Sequence, residues 1–115
     1  MQCQSRLDAV QRNASANDCS ENQDCVVTIA ADVDEHWVID SIYASYDGGS
    51  TGGTVKVEFD GTKVFELYLI DPRPATINFP PGGLHNGDWT TNEACVITLT
   101  APGPFITGKL NVVYR

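Results

Sequence analysis

Residues 54–70 read TVKVEFDGTKVFELYLI. Val55, Val57 and Phe59 alternate with Lys56 and Glu58, the period-two pattern of a half-buried strand. Asp60-Gly61 then separates this run from a second apolar run, a strong β-hairpin signal. On the return strand the alternatives are Val64, Tyr68 and Ile70 or Phe65, Leu67 and Leu69. The second set is expected to face inward, because Glu66 belongs to the first.

Outward from this hairpin the pattern repeats without helical periodicity. Residues 25–31 (CVVTIAA) predict a first strand, and 32–35 (DVDE) a turn. Residues 36–46 (HWVIDSIYASY) predict a long strand in which neither alternating set is cleanly polar. That suggests a strand covered on both faces, or one that changes face at a bulge. Residues 47–53 form a glycine-rich loop, and the prolines at 72 and 74 break the chain. A short strand over 75–79, a long loop over 80–92, a strand over 94–100 and a last strand over 105–114 complete the series. About seven or eight short strands with turn signals predict an all-β fold, an antiparallel β-sandwich or jelly roll.

Upstream of Cys25 the character changes. Residues 1–24 are polar, and only Leu7, Val10 and Ala14 suggest a helical turn or two. The expected organisation is an N-terminal arm over 1–24 and a β-sandwich domain over 25–115. The arm would order on contact with a partner.

The chain has 115 residues and a formal net charge of −8. Its seven basic residues are scattered, which disfavours nucleic acid and anionic membranes as partners. No apolar run reaches the length of a membrane-spanning helix, and residues 1–24 lack the apolar core of a signal peptide. Cys3, Cys19, Cys25 and Cys95 allow three pairings. A disulfide between Cys19 and Cys25 is one reading, and four reduced thiols is the other. Neither C-x-x-C nor a paired Cys/His motif is present, so no metal site is expected.

No constellation states a reaction. Asp32, Asp34, Glu35 and His36 lack the glycine and distal glutamate of a calcium loop and are expected to be a solvated turn. His36 and His85 are the two histidines, and no G-x-S-x-G elbow accompanies them. The chain is expected not to be an enzyme, with no catalytic residue and no cofactor. Of the aromatic residues Trp37, Tyr43, Tyr46, Trp89 and Tyr114, Trp37 follows strand alternation and is expected in the core. Trp89 lies in the long loop and is expected to be exposed. Asn13-Ala14-Ser15 matches a glycosylation sequon, meaningful only in a secreted eukaryotic chain.

The runs WVIDSIYASY, GTVKVEFDG, INFPP, VITLTAPG and ITGKLNVVY together resemble small β-sandwich virion proteins of tailed bacteriophages, of the capsid cement or decoration type. The likeness covers about two-thirds of the chain, and its motifs are structural. It implies a structural protein on the capsid surface that binds the major capsid protein, commonly as a homotrimer, with an arm over neighbouring subunits. Leu7, Val10 and Arg12 of the arm, with Leu84 and Trp89 of the long loop, are then the expected partner-binding residues. The alternative is a carbohydrate- or receptor-binding module of a phage tail or fibre.

Overall fold

The computed structural model describes residues 11–19, 23–47, 53–69, 74–87, 90–101 and 107–115, with the side chains of 16–19 and 47 outside that description. Eight strands appear in chain order: β1 (Arg12–Cys19), β2 (Cys25–Ile29), β3 (Ile39–Asp47), β4 (Gly53–Phe59), β5 (Thr62–Leu69), β6 (Ala75–Asn78), β7 (Cys95–Leu99) and β8 (Thr107–Tyr114). They form two four-stranded sheets, ordered β1-β8-β3-β6 and β2-β7-β4-β5, and every pairing is antiparallel. Partners run outward from the central hairpin: β4 with β5, β3 with β6, β2 with β7, β1 with β8. One long hairpin folded over itself in this way is a jelly roll. The expected all-β sandwich is therefore the observed fold.

The Asp60-Gly61 turn is the innermost point of that hairpin. Asp60 (φ 51°) and Gly61 (φ 85°) both take the left-handed conformation that a two-residue turn between twisted strands requires. Val55, Val57 and Phe59 enter the core as their alternation predicts, against Ile97, Leu99 and Cys95 of β7 and Ile42, Leu110 and Val112 of the facing sheet. Phe59 and Ile97 are among the largest fully buried side chains. Each contributes about 1.5–3 kcal/mol by leaving water.

Three expectations need correction. Residues 12–19, read as part of an arm with a helical turn, are the edge strand β1 on β8. Among the described side chains of β1, Ala14 packs on the core while Arg12, Asn13 and Ser15 are exposed, so polar residues dominate this part of the strand. The second concerns β5. Phe65 is half-buried and Leu69 buried, but Leu67 is 39% exposed. The edge strand facing β5 is β6, which has only four residues. Phe65 meets Phe79 edge-on at 5.0 Å, and Leu67 lies without such cover. The third concerns the thiols. Cys25 is disulfide-bonded, which sets aside the reading of four reduced thiols. Its partner lies outside the described side chains, and so does the side chain of Cys19. Cys95 is a free, buried thiol, and burial pushes its pKa up to about 12.

The long strand over 36–46 begins as irregular backbone and becomes β3 at Ile39. A register shift between Ile39 and Ser41 accounts for its mixed alternation. It buries Ile39 and Ile42 while leaving Asp40 half-exposed. Asp40 then accepts from Arg115 Nε at 3.0 Å and from Gln11 Nε2 at 2.9 Å. Trp37 is buried as expected. Its Nε1 donates to the Ala30 carbonyl at 3.0 Å, and Tyr114 meets its ring edge-on at 5.5 Å.

Candidate functional site

Two features of the folded chain carry chemistry beyond packing. The first is the outer face of the β1-β8-β3-β6 sheet. Ile42, Ala44 and Tyr46 of β3 point inward, so Ser41, Tyr43 and Ser45 point out. Strand register aligns one row across the sheet as Ser15, Asn111, Tyr43 and Thr76. A second row is Asn13, Val113, Ser41 and Asn78. Neither row holds a charged side chain, although the whole chain carries fifteen carboxylates. Asn111 Nδ2 reaches Asn13 Oδ1 at 3.4 Å. Tyr43, 40% exposed, is the one aromatic in these rows.

The opposite sheet differs. Its outer rows are Val26, Thr98, Lys56 and Glu66, then Thr28, Val96, Glu58 and Lys63. Lys63 pairs with Glu66 at 2.8 Å on the surface, and Tyr68 of the same sheet is 63% exposed. The two faces of one sandwich thus present different chemistry. One offers amides and hydroxyls around a phenol ring, with exposed Lys109 opposite Ser45 in an adjoining row; the other offers paired charges and methyl groups.

The second feature lies in the connection between Asn78 and Cys95. Leu84 forms a two-way bridge with Ile39, with N–H···O bonds of 2.8 Å in each direction. Gly83 (φ +72°) makes this approach possible. A Cβ there would collide with the Val38 methyl and stand 2.9 Å from the Ile39 carbonyl. Asn92 N–H donates to the Asp32 carbonyl at 2.9 Å, tying the loop to the acidic turn. Of the four residues expected in a solvated turn, Asp32 and Asp34 are exposed, with Asp32 Oδ1 accepting from Asp34 N–H at 2.9 Å, whereas Glu35 is half-buried and His36 is buried.

These ties bring the two histidines together from 49 positions apart. His36 is buried, and its Nδ1 lies 2.8 Å from the Thr90 carbonyl oxygen. A carbonyl only accepts, so Nδ1 carries the hydrogen and Nε2 keeps a lone pair in the neutral ring. His36 Nε2 lies 3.2 Å from His85 Nδ1, and the rings meet edge-on at 5.1 Å. His85 Nδ1 also lies 2.8 Å from the Asn86 carbonyl. By the same logic it donates, sharing one hydrogen between that oxygen and His36 Nε2. Asn86 Nδ2 donates to both oxygens of Glu93, at 2.9 and 3.1 Å.

Of the residues expected to bind a partner, Arg12 and Leu84 lie among the described residues. Arg12 is exposed and holds its guanidinium 5.4 Å from the Trp37 ring centroid. Leu84 is half-buried and packs against the core. Leu7, Val10 and Trp89 lie outside the described residues. Of the other aromatics considered, Tyr46 is buried and donates to the Thr100 carbonyl at 2.8 Å, and Tyr114 packs on Trp37. Sequence reasoning overlooked Tyr68, whose alternation placed it in the expected outward set of β5. It also had no means of joining His36 to His85. Among the described residues, no three His, Cys, Asp or Glu side chains gather as a metal-binding group.

No protein-family model matches this chain, and no curated protein matches it. Solved structures do. The chain is similar to the CBM36-1 domain of a multidomain xylanase from the hindgut metagenome of Trinervitermes trinervoides, with a TM-score of 0.54 and 10% identity over 91% of this chain and 95% of that one. It is similar to a carbohydrate-binding module CBM36 in complex with calcium and xylotriose, with a TM-score of 0.51 and 9% identity over 93% and 89% of the two chains. A virus-like particle of the giant freshwater prawn Macrobrachium rosenbergii extra small virus also matches, at a TM-score of 0.38 and 16% identity over 91% and 77%. Identities this low show a shared sandwich fold and nothing finer. The sandwich fold is thus shared with carbohydrate-binding modules.

Proposed function

We propose that this chain is a non-catalytic binding module that holds a neutral polysaccharide against the outer face of the β1-β8-β3-β6 sheet. The observation that carries the reading is the pair of uncharged rows across that sheet, in an acidic protein, with the Tyr43 ring among them. Amides and hydroxyls both donate and accept, as sugar hydroxyls do. A phenol ring supplies the flat apolar surface on which a pyranose face rests, with its hydroxyl left wet. The rows lie on paired strands, so they are positioned before any ligand arrives. The carbohydrate-binding modules of similar fold support this choice.

The test is affinity electrophoresis and titration against xylo-oligosaccharides, cello-oligosaccharides and a glycan array. Tyr43→Ala should weaken binding by about 2 kcal/mol, roughly thirtyfold, with the melting temperature little changed. Equal binding by Tyr43→Ala, or no binding to any neutral glycan, overturns the reading.

A second reading rests on a different observation. The edge strand β5 leaves Tyr68 exposed on one face and Leu67 on the other, with Val64 also exposed. An edge strand with apolar side chains is a docking surface for another protein. It favours a virion structural protein of the capsid cement type, bound across major capsid protein subunits as a homotrimer. Each weak attachment would be multiplied over the shell. Because β1 belongs to the sheet, the informative truncation removes residues 1–10, which carry Leu7 and Val10, and not residues 1–24. Capsids stabilised equally by the truncated chain and by Leu67→Glu would refute this attachment.

A further inference from the structure

We propose that His36 and His85 form a binding site for a divalent first-row transition-metal ion such as Zn²⁺, with the main-chain carbonyl of Asn86 as a third ligand. The inference does not rest on the glycan reading.

The spacing is the starting point. A zinc ion held tetrahedrally by two imidazole nitrogens at about 2.0–2.1 Å keeps those nitrogens roughly 3.3 Å apart. His36 Nε2 and His85 Nδ1 are 3.2 Å apart. The Asn86 carbonyl oxygen stands 2.8 Å from the same His85 nitrogen. Two further atoms able to offer lone pairs therefore stand within 3.2 Å of His85 Nδ1.

Orientation is the second argument. A metal-ligating histidine nearly always donates its far ring N–H to a carbonyl or carboxylate, which fixes the tautomer and raises ligand basicity. His36 does this with the Thr90 carbonyl at 2.8 Å. Its Nε2 lone pair is thereby aimed at His85. Asn86, whose carbonyl is the third donor, is held through its side chain by both oxygens of Glu93. That carboxylate also leaves a negative charge near the cation.

The change on binding balances simply. In the metal-free chain one hydrogen on His85 Nδ1 lies between Asn86 O and His36 Nε2. Moving it to His85 Nε2 is a tautomer change of the neutral ring, with no net proton lost and no electron transferred. The cation then takes the place of that hydrogen. Two imidazole nitrogens with one carbonyl oxygen suit zinc, copper or nickel better than calcium or magnesium, which prefer oxygen ligands throughout.

The competing account is a plain N–H···N hydrogen bond with no affinity for metal. Calorimetric titration of the EDTA-treated full chain with ZnCl₂ separates the two. One ion per chain with a dissociation constant of about 1–100 µM is expected. His85→Gln, on the half-exposed loop, should weaken binding at least about tenfold while its far-ultraviolet dichroism is unchanged. Nitrogen-15 spectra of the unmutated chain's imidazoles give a readout independent of any variant's folding. Zinc should displace the His36 Nε2 and His85 Nδ1 resonances and leave His36 Nδ1 protonated. No saturable binding up to about 1 mM, unchanged affinity in folded His85→Gln, or displacement of only the other ring nitrogens overturns the site.

Discussion

Replacing Gly83 by alanine tests whether the loop from Asn78 to Cys95 is held by close approach or merely by its own turns. Gly82 and Gly83 stand side by side, at φ +100° and +72°. An alanine at either pays the left-handed backbone cost of roughly 1–2 kcal/mol. Either substitution also lowers unfolded-chain entropy by a similar amount, so that effect cancels between them. The surroundings differ. A Cβ on Gly82 has no heavy atom within 4 Å, while a Cβ on Gly83 collides with the buried Val38 methyl and stands 2.9 Å from the Ile39 carbonyl. Main chain and a fully buried valine cannot retreat, so overpacking adds about 1–3 kcal/mol at Gly83 alone. Urea denaturation at unchanged m-value should therefore place Gly83→Ala about 1–3 kcal/mol below Gly82→Ala. In a domain of this size the melting temperature should fall by roughly 4–12 °C more. Amide exchange of Leu84 and Ile39, which bond each other in both directions, should accelerate in Gly83→Ala first. Equal destabilisation by the two variants would refute the argument, because it would mean that the loop does not press on Val38.

Further outcomes follow from the same structure. Cys95 has a raised pKa because of burial, and Tyr46 is raised chiefly by burial, which outweighs its hydrogen bond to Thr100. Both stay protonated in the fold where the unfolded chain ionises, so stability should fall as pH rises from about 9 towards 12. A denaturation series flat across that range would contradict this. Cys95 should also resist iodoacetamide until the chain unfolds. Peptide mapping should find Cys25 joined to Cys19, whose backbone pairs with Gly108. A Cβ on Gly108 would stand 2.9 Å from the Cys25 sulfur. A bond to Cys3 would be the contrary result. Arg115→Ala should cost about 1–3 kcal/mol, since it takes the cation from the half-buried Asp40 carboxylate and leaves it the Gln11 amide. Raised salt should recover little of that loss, and full recovery would mark the pair as solvent-exposed.

The parts of the fold legible in the sequence were those whose signals are local. The turn at Asp60-Gly61, the alternation of Val55, Val57 and Phe59, and the face change along residues 36–46 all follow from neighbouring residues. β1 was not legible because an edge strand with one neighbour needs little apolar surface. Ala14 is its core contact among the described side chains, and Asn13 and Ser15 look like loop residues. Leu67 misled for the opposite reason, since alternation reports which way a side chain points and not whether anything lies there. The rows around Tyr43 draw on all four strands of one sheet, so they exist only once the register is known. The same holds for the histidines, which no sequence spacing connects.

The length of the connection between Asn78 and Cys95 bears on where function lies. Neighbouring elements in a compact domain are usually joined by a few residues, and ordering each further residue costs about 1–2 kcal/mol of backbone entropy. This connection is ordered at several separate points. Leu84 is bonded to Ile39, Asn92 to Asp32, and His36 to Thr90. None of these bonds joins strand to strand, and the jelly-roll pairings are complete without them. The core cluster holds Trp37 and Ile39 but not His85, so the core does not require that imidazole either. Fold stability alone thus gives weak reason to hold two imidazoles edge-on with their nitrogens facing. If the loop served only to cap the sandwich, apolar residues at positions 36 and 85 would stabilise it at least as well. The double substitution His36→Leu with His85→Leu distinguishes the two cases. Unchanged or raised stability together with lost zinc binding assigns the pair to ligand chemistry. A drop of more than about 3 kcal/mol would show instead that the shared hydrogen holds the loop in place.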